Sequence, residues 1–198
     1  MEINAKINYG ALKSIIKEMS KKYSVKIGLL ADQGGANAVS DDMDLAGLGA
    51  LQEFGADIKI TQKMAAYLHF KAEELGLPPT VSKGKGDGYI HIPARSWLQM
   101  PLTSPEGVKL LKEAIKANIS QDEDLNKYLI ENDESFLKDI AEAIGLTAIM
   151  HIQEAFQTDG FGEWKPNSPF TIAQKGSAKP LVDTGELRKH VTYEVEEK

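Results

Sequence analysis

The chain has 198 residues, 42% of them hydrophobic, and no cysteine. It therefore carries material for the core of one large domain, while disulfides and thiolate metal sites are excluded. Lys and Arg number 23 against 29 Asp and Glu, a formal net charge of −6, which argues against an open nucleic-acid-binding face but not against a local basic patch.

The opening MEINAKINYG lacks the basic-then-apolar pattern of a signal peptide. No stretch approaches the ~18 consecutive apolar residues of a membrane span. The expectation is a soluble protein made and used in the cytoplasm.

In chain order, Leu12, Ile15, Ile16 and Met19 fall at helical spacing among Lys13, Lys17, Glu18 and Lys21. This predicts an amphipathic helix over about residues 9–22, with Asn8 as N-cap. The alternation Val25-Lys26-Ile27-Gly28-Leu29 predicts a strand with one buried face. Residues 32–43 (DQGGANAVSDDM) read as an acidic, Gly-containing loop. Leu45, Leu48, Leu51 and Phe54 recur every three residues and predict a short helix closed by Gly55.

Asp57 to Thr61 predicts a short strand, and Met64 to Phe70 fits helix or strand alike. Residues 76–88 hold two prolines and four glycines, which predicts a protruding hairpin tip or lid. Its Gly84, Gly86 and Gly88 lack the Lys-Ser/Thr and the following helix of a nucleotide loop. Tyr89 to Ile92 predicts a strand that Pro93 ends.

Ser104-Pro105-Glu106 has the form of a helix start, and Val108, Leu111 and Ile115 supply the apolar stripe behind it. A short helix is expected near 122–130. Leu137, Ile140, Ile144, Ala148, Ile152 and Phe156 are spaced by three or four and predict a long helix from about Glu134 to Gln157. Residues 158–183 are too long for an ordinary loop and too aromatic for a disordered linker. Val191 to Glu196 alternates with period two and predicts a last strand. There is no internal repeat.

Three patches carry a resemblance. They are Leu51-Gln52-Glu53-Phe54-Gly55, then Ile92-Pro93-Ala94-Arg95-Ser96-Trp97-Leu98, then a C-terminal block. That block holds Phe161, Trp164-Lys165-Pro166, Thr171-Ile172, Lys175-Gly176, the run from Pro180 to Arg188 (PLVDTGELR) and Thr192-Tyr193. Together and in this order they resemble the phage virion morphogenesis family, the tail completion or head–tail joining proteins. The resemblance covers most of the chain and implies a single α+β domain over 1–198, with a small, mainly antiparallel sheet packed by helices. Insertions then fall near 32–43 and 76–88, a helical insertion near 104–130 and an extended arm near 158–183. The resemblance further implies a non-enzymatic virion protein, assembled in the host cytoplasm as a ring, often of six copies. Its partners would be its own copies, the tail tube and the neck or connector proteins. DNA would only pass through the lumen, and no cofactor, metal or membrane would be involved. An acidic lumen would keep phosphates from sticking.

The candidate interface residues are Arg95, Trp97, Phe161, Trp164, Lys165, Phe170, Lys175, Leu181 and Leu187. Trp97 and Arg95 fit either a core anchor with an internal pair or a subunit hot spot. Phe161, Trp164 and Phe170 sit among Gly and Pro rather than on a periodic face, so the stretch either folds back or docks on a neighbour, bringing Lys165, Lys175 and Lys179 with it. Glu53 is a candidate partner for Arg95.

Asp183-Thr184-Gly185 resembles an aspartic protease loop, but only 13 residues follow and no second such triplet exists. The alternative is a helix start with Asp183 or Thr184 as N-cap. His69, His91, His151 and His190 have no metal-motif spacing, and His151 with Glu154 reads as a surface pair. A hydrolase using Asp183 or a metal, and a non-ring adaptor acting through residues 76–88, are the competing functions.

Overall fold

A computed structural model describes residues 9–40, 43–78, 88–119 and 135–198. The longest apolar periodicity becomes the longest helix, Ser135–Gln157. Taking the helices in order, α1 is Tyr9–Lys22, α2 Leu45–Phe54, α3 Gln62–Glu74, α4 Gln99–Thr103, α5 Pro105–Ile119, α6 Ser135–Gln157, α7 Pro169–Lys175 and α8 Glu186–Lys189. The strands are β1 Tyr23–Gly28, β2 Ala38–Ser40, β3 Met43–Asp44, β4 Ala56–Lys59, β5 Tyr89–Ile92 and β6 Thr192–Glu197. The class is α+β. Among the described residues the sheet is three separate two-stranded antiparallel ladders, β1 with β6, β2 with β3 and β4 with β5.

Helix α6 is the spine because its apolar residues wrap more than one face. Its first half packs Phe136, Leu137, Ile140 and Ala141 against Ile15 and Met19 of α1 and Ile115 of α5, with Val25 and Val195 of the β1–β6 ladder beside them. Its second half packs Ile152, Ala155 and Phe156 against Leu45, Trp97, Trp164, Leu187 and Val191. Gly145 lies between the two clusters. A Cβ there would sit 2.2 Å from the Tyr193 ring, so glycine lets β6 cross the helix closely.

The polar stretch 32–43 is more ordered than its composition suggests. It holds a 3-10 turn at Ala31–Gln33 and the start of the β2–β3 hairpin. The ambiguous stretch at 64–70 is helical, and Thr61 caps it by accepting from the Met64 N–H at 3.2 Å. Ser104 starts α5 as expected, its Oγ accepting from the Gly107 N–H at 3.1 Å. The expected arm at 158–183 is not extended: it contains α7 and a chain of turns. Asn8, most of the 76–88 loop and the helix expected near 122–130 lie outside the described residues. No helix among the described residues is long and apolar enough to cross a membrane.

Candidate functional site

The first two resemblance patches are locked together by one carboxylate. Helix α2 ends at Gly55, whose φ is 70°. A Cβ at Gly55 would lie 2.6 Å from the Ile92 carbonyl oxygen and 2.7 Å from the Ala94 nitrogen, so only glycine lets the strand after β5 pass this close. That crossing sets Glu53, 7% exposed, under residues 96–99. Its Oε1 accepts from Ser96 Oγ at 2.5 Å and from the Gln99 N–H at 3.1 Å, and its Oε2 accepts from the N–H groups of Trp97 at 2.8 Å and Leu98 at 2.9 Å. The carboxylate therefore neutralises the otherwise unpaired donors at the start of α4.

The expected Glu53–Arg95 pair is not formed. Glu53 is saturated by backbone donors, and Arg95 turns the other way. Its Nε donates to the Lys165 carbonyl at 2.8 Å, and its Nη2 donates to the Pro166 carbonyl at 3.1 Å and to Asn167 Oδ1 at 3.3 Å. The rigid guanidinium fork thus fixes the third patch to the second. Burial lowers the Arg95 pKa from its ordinary value, the expected cost of a cation held by carbonyls rather than by a carboxylate.

The stretch after α6 folds back through an unusual run of left-handed residues. Asp159, Gly160, Phe161 and Gly162 have φ of 53°, 66°, 56° and 85°. The reversal places Trp164 edge-on against Phe156, with ring centres 5.6 Å apart, and its indole N–H donates to the Ser96 carbonyl at 3.1 Å. Trp97 lies 6.0 Å from Phe156 on another side, and its indole N–H donates to the Gly49 carbonyl at 2.8 Å. Arg95, Trp97, Trp164 and Leu187 are all buried within the chain. Within the single chain the core-anchor arrangement is therefore the one these four residues take: the two tryptophans find both apolar contact and polar partner at home, Arg95 its carbonyl partners, and Leu187 its apolar cluster. Phe161 and Lys165 stay on the surface, while Phe170, Lys175 and Leu181 are half-buried and line a cleft.

That cleft, about 920 Å³, opens between α2, β5 and the segment from α7 to α8. Leu48, Ile60, Ile90, Ile92 and Phe170 make it largely apolar, and Arg95 and Lys175 give it two cations. The Lys175 ammonium is held below its ordinary pKa by burial; the Asp183 charge opposes this, and the Arg95 charge adds a smaller lowering. Asp183 is exposed on the cleft wall. Neither it nor Thr184 takes the N-cap position of α8; Gly185 does, at φ 83°. Thr184 Oγ1 accepts only a long bond, 3.4 Å, from the Glu186 N–H.

The histidines separate into different environments. His91 Nδ1 meets Asp57 Oδ1 at 2.7 Å on an exposed face. His151 is buried rather than a surface residue. Its Nδ1 lies 3.2 Å from Glu154 Oε2, its ring stacks on Phe161 at 4.8 Å, and its Nε2 has no hydrogen-bond partner. Among the described residues no three His, Cys, Asp or Glu side chains form a group able to hold a metal.

Sequence reasoning missed the exposed aromatics. Phe54 is 73% exposed, Phe70 62% and Tyr89 66%, with Tyr67 also exposed. The available signal was the spacing of Tyr67 and Phe70, one helical turn apart on α3. Compared with protein-family models, with curated proteins and with solved structures, the chain has no match.

Proposed function

We propose that the chain is a structural, non-catalytic part of a tailed bacteriophage or prophage virion, completing the tail or joining it to the head as a ring of about six copies. The observation that supports this reading is the convergence of the three resemblance patches. Glu53 caps the Trp97–Gln99 turn, Arg95 holds Lys165–Asn167, and Leu187 packs in the same cluster as Trp97 and Trp164. Residues far apart in sequence thus define one rigid block, and the chemistry spent there is structural: caps, carbonyl bonds and aromatic packing.

Outside the block, Phe54, Tyr67, Phe70 and Tyr89 leave large apolar surface in water. Exposed aromatic surface of this kind marks protein contacts. Ring closure by head-to-tail contacts would use two different patches per subunit, and these exposed aromatics are the natural candidates for one of them.

The test is electron microscopy of particles assembled without this chain. Tailless heads beside finished or overlong tails are the expected result, and normal virions would reject the reading. A second arm separates structure from catalysis. Asp183→Asn should leave assembly intact, whereas a hydrolytic activity of the purified protein that this substitution abolishes would overturn the non-catalytic assignment.

A further inference from the structure

One wall of the cleft is a strand with a side that is free among the described residues. The Ile60 N–H donates to the Gly88 carbonyl at 2.9 Å, and the register then pairs Lys59 with Tyr89, Ile58 with Ile90, Asp57 with His91 and Ala56 with Ile92. Bonded and non-bonded pairs alternate in an antiparallel ladder. Gly88, Ile90 and Ile92 therefore bond to β4, while the N–H and C=O groups of Tyr89 and His91 point to the opposite side. Among the described residues no strand pairs there. The contact between His91 and Asp57 at 2.7 Å agrees with a non-bonded pair, whose side chains approach most closely. All four residues of β5 line the cleft, so the unsatisfied edge opens into it.

The opposite wall has the complementary chemistry. Phe170 and Leu181 are apolar, Asp183 and Glu186 are exposed acids of the same segment, and Lys175 and Arg95 bring two positive charges. They stand near enough that Arg95 depresses the Lys175 ammonium. The Lys175 Nζ donates to the Lys179 carbonyl at 3.0 Å, and Arg95 is bonded to carbonyl and amide oxygens. Among the described residues neither the buried Arg95 nor the half-buried Lys175 has a carboxylate at ion-pair distance, and the exposed Asp183 offsets the burial of Lys175 only in part, so an arriving anion would relieve the cost.

We infer that this cleft binds an extended segment of a partner protein, which adds to the free edge of β5 as a third strand and sets a carboxylate against Lys175 and Arg95. Main-chain bonds to Tyr89 and His91 would supply affinity. Alternate side chains would enter the apolar cleft, and the acidic residue would fix the register, the division of labour in strand addition. The inference does not depend on the phage reading, since it follows from the edge and the charges alone.

The test selects a displayed random-peptide library on the immobilised full chain, then measures the winning synthetic peptide by calorimetry. The expected winners alternate apolar residues with period two and share one Asp or Glu. Replacing that acid by its amide should weaken binding at least tenfold, and Lys175→Gln should do the same. His91→Pro removes an edge-facing N–H without breaking the ladder to β4 and should also weaken binding at least tenfold. Lys59→Pro, the equivalent change on the outer edge of β4, should change binding less than twofold. Should His91→Pro fail to fold, N-methylating the peptide at alternate positions tests the same bonds on the unmodified chain.

No enriched peptide, winners at helical spacing, winners without an acid, or binding indifferent to both His91→Pro and N-methylation would overturn the inference. Self-association in sedimentation that His91→Pro abolishes would also overturn it, by making a second copy of this chain the occupant.

Discussion

The block around the second half of α6 and the β4–α3–β5 segment treat large and charged side chains in opposite ways. In the block, Trp97, Phe156 and Trp164 are buried, Glu53 accepts four hydrogen bonds, and Arg95 donates to three oxygens of the folded-back stretch. In the segment, α3 buries only Ala65 and Ala72, Tyr67, Phe70 and Tyr89 face water, and the His91–Asp57 pair is solvent-exposed. The first region spends its aromatic and polar groups on its own shape. The second leaves them exposed to solvent. Most of the motif residues recognisable in the sequence are thus scaffold, and apart from Phe54 the large exposed aromatics of this comparison lie on residues with no motif.

The sharpest way to break this contrast is Glu53→Ala. It strands three backbone donors at the start of α4, and each buried donor left unpaired costs about 1–3 kcal/mol. A loss on the order of 3–5 kcal/mol is expected in urea unfolding, and a loss under about 1 kcal/mol would show that the carboxylate is not a structural cap. Trp164→Ala comes next, at about 3 kcal/mol, because it empties a site between Phe156 and Ser96. A fully stable variant with a mobile 158–168 stretch would put the two regions on equal footing.

Arg95→Lys keeps the charge but loses the fork to Lys165 and Pro166. About 1–2 kcal/mol is expected, with faster hydrogen exchange confined to residues 164–168. Exchange unchanged there would remove Arg95 as the tie between patches. The smallest expected change in stability is at Phe54→Ser and Phe70→Ser, within about 0.5 kcal/mol at exposed positions. Under the proposed function these same changes should cost incorporation into particles, measured by the fraction of tailed virions. Stable variants that assemble normally would exclude the aromatic face as a contact.

Much of this was legible in the sequence where one periodicity governed. Helix α6 was, because Leu137, Ile140, Ala148, Ile152 and Phe156 are all buried and nothing competes with the pattern. So was the turn at Gly55, where a glycine after an apolar stripe marks a helix end. The class of α3 was not legible, because Tyr67 and Phe70 stay in water and break the amphipathic signal. The Glu53 partner was not legible because three of its four donors are backbone N–H groups, which carry no sequence identity. The return of residues 158–168 depends on positive φ at Asp159 and Phe161, a conformation that neither residue type announces. His151 looked like a surface residue because the Phe161 ring that covers it comes from outside the helix.

The ladder between β1 and β6 carries a temporal consequence. Its register pairs Val25 with Val195 and Lys26 with Glu194, and the Lys26 ammonium donates diagonally to Glu196, 170 residues away. Contacts this distant in sequence must await closure of a very long loop, which slows folding. At typical translation speeds β1 would wait on the order of ten seconds or more for its partner. Until then Val25 and Ile27 lack their ladder partner, so β6 acts as the latch that covers the free edge of β1.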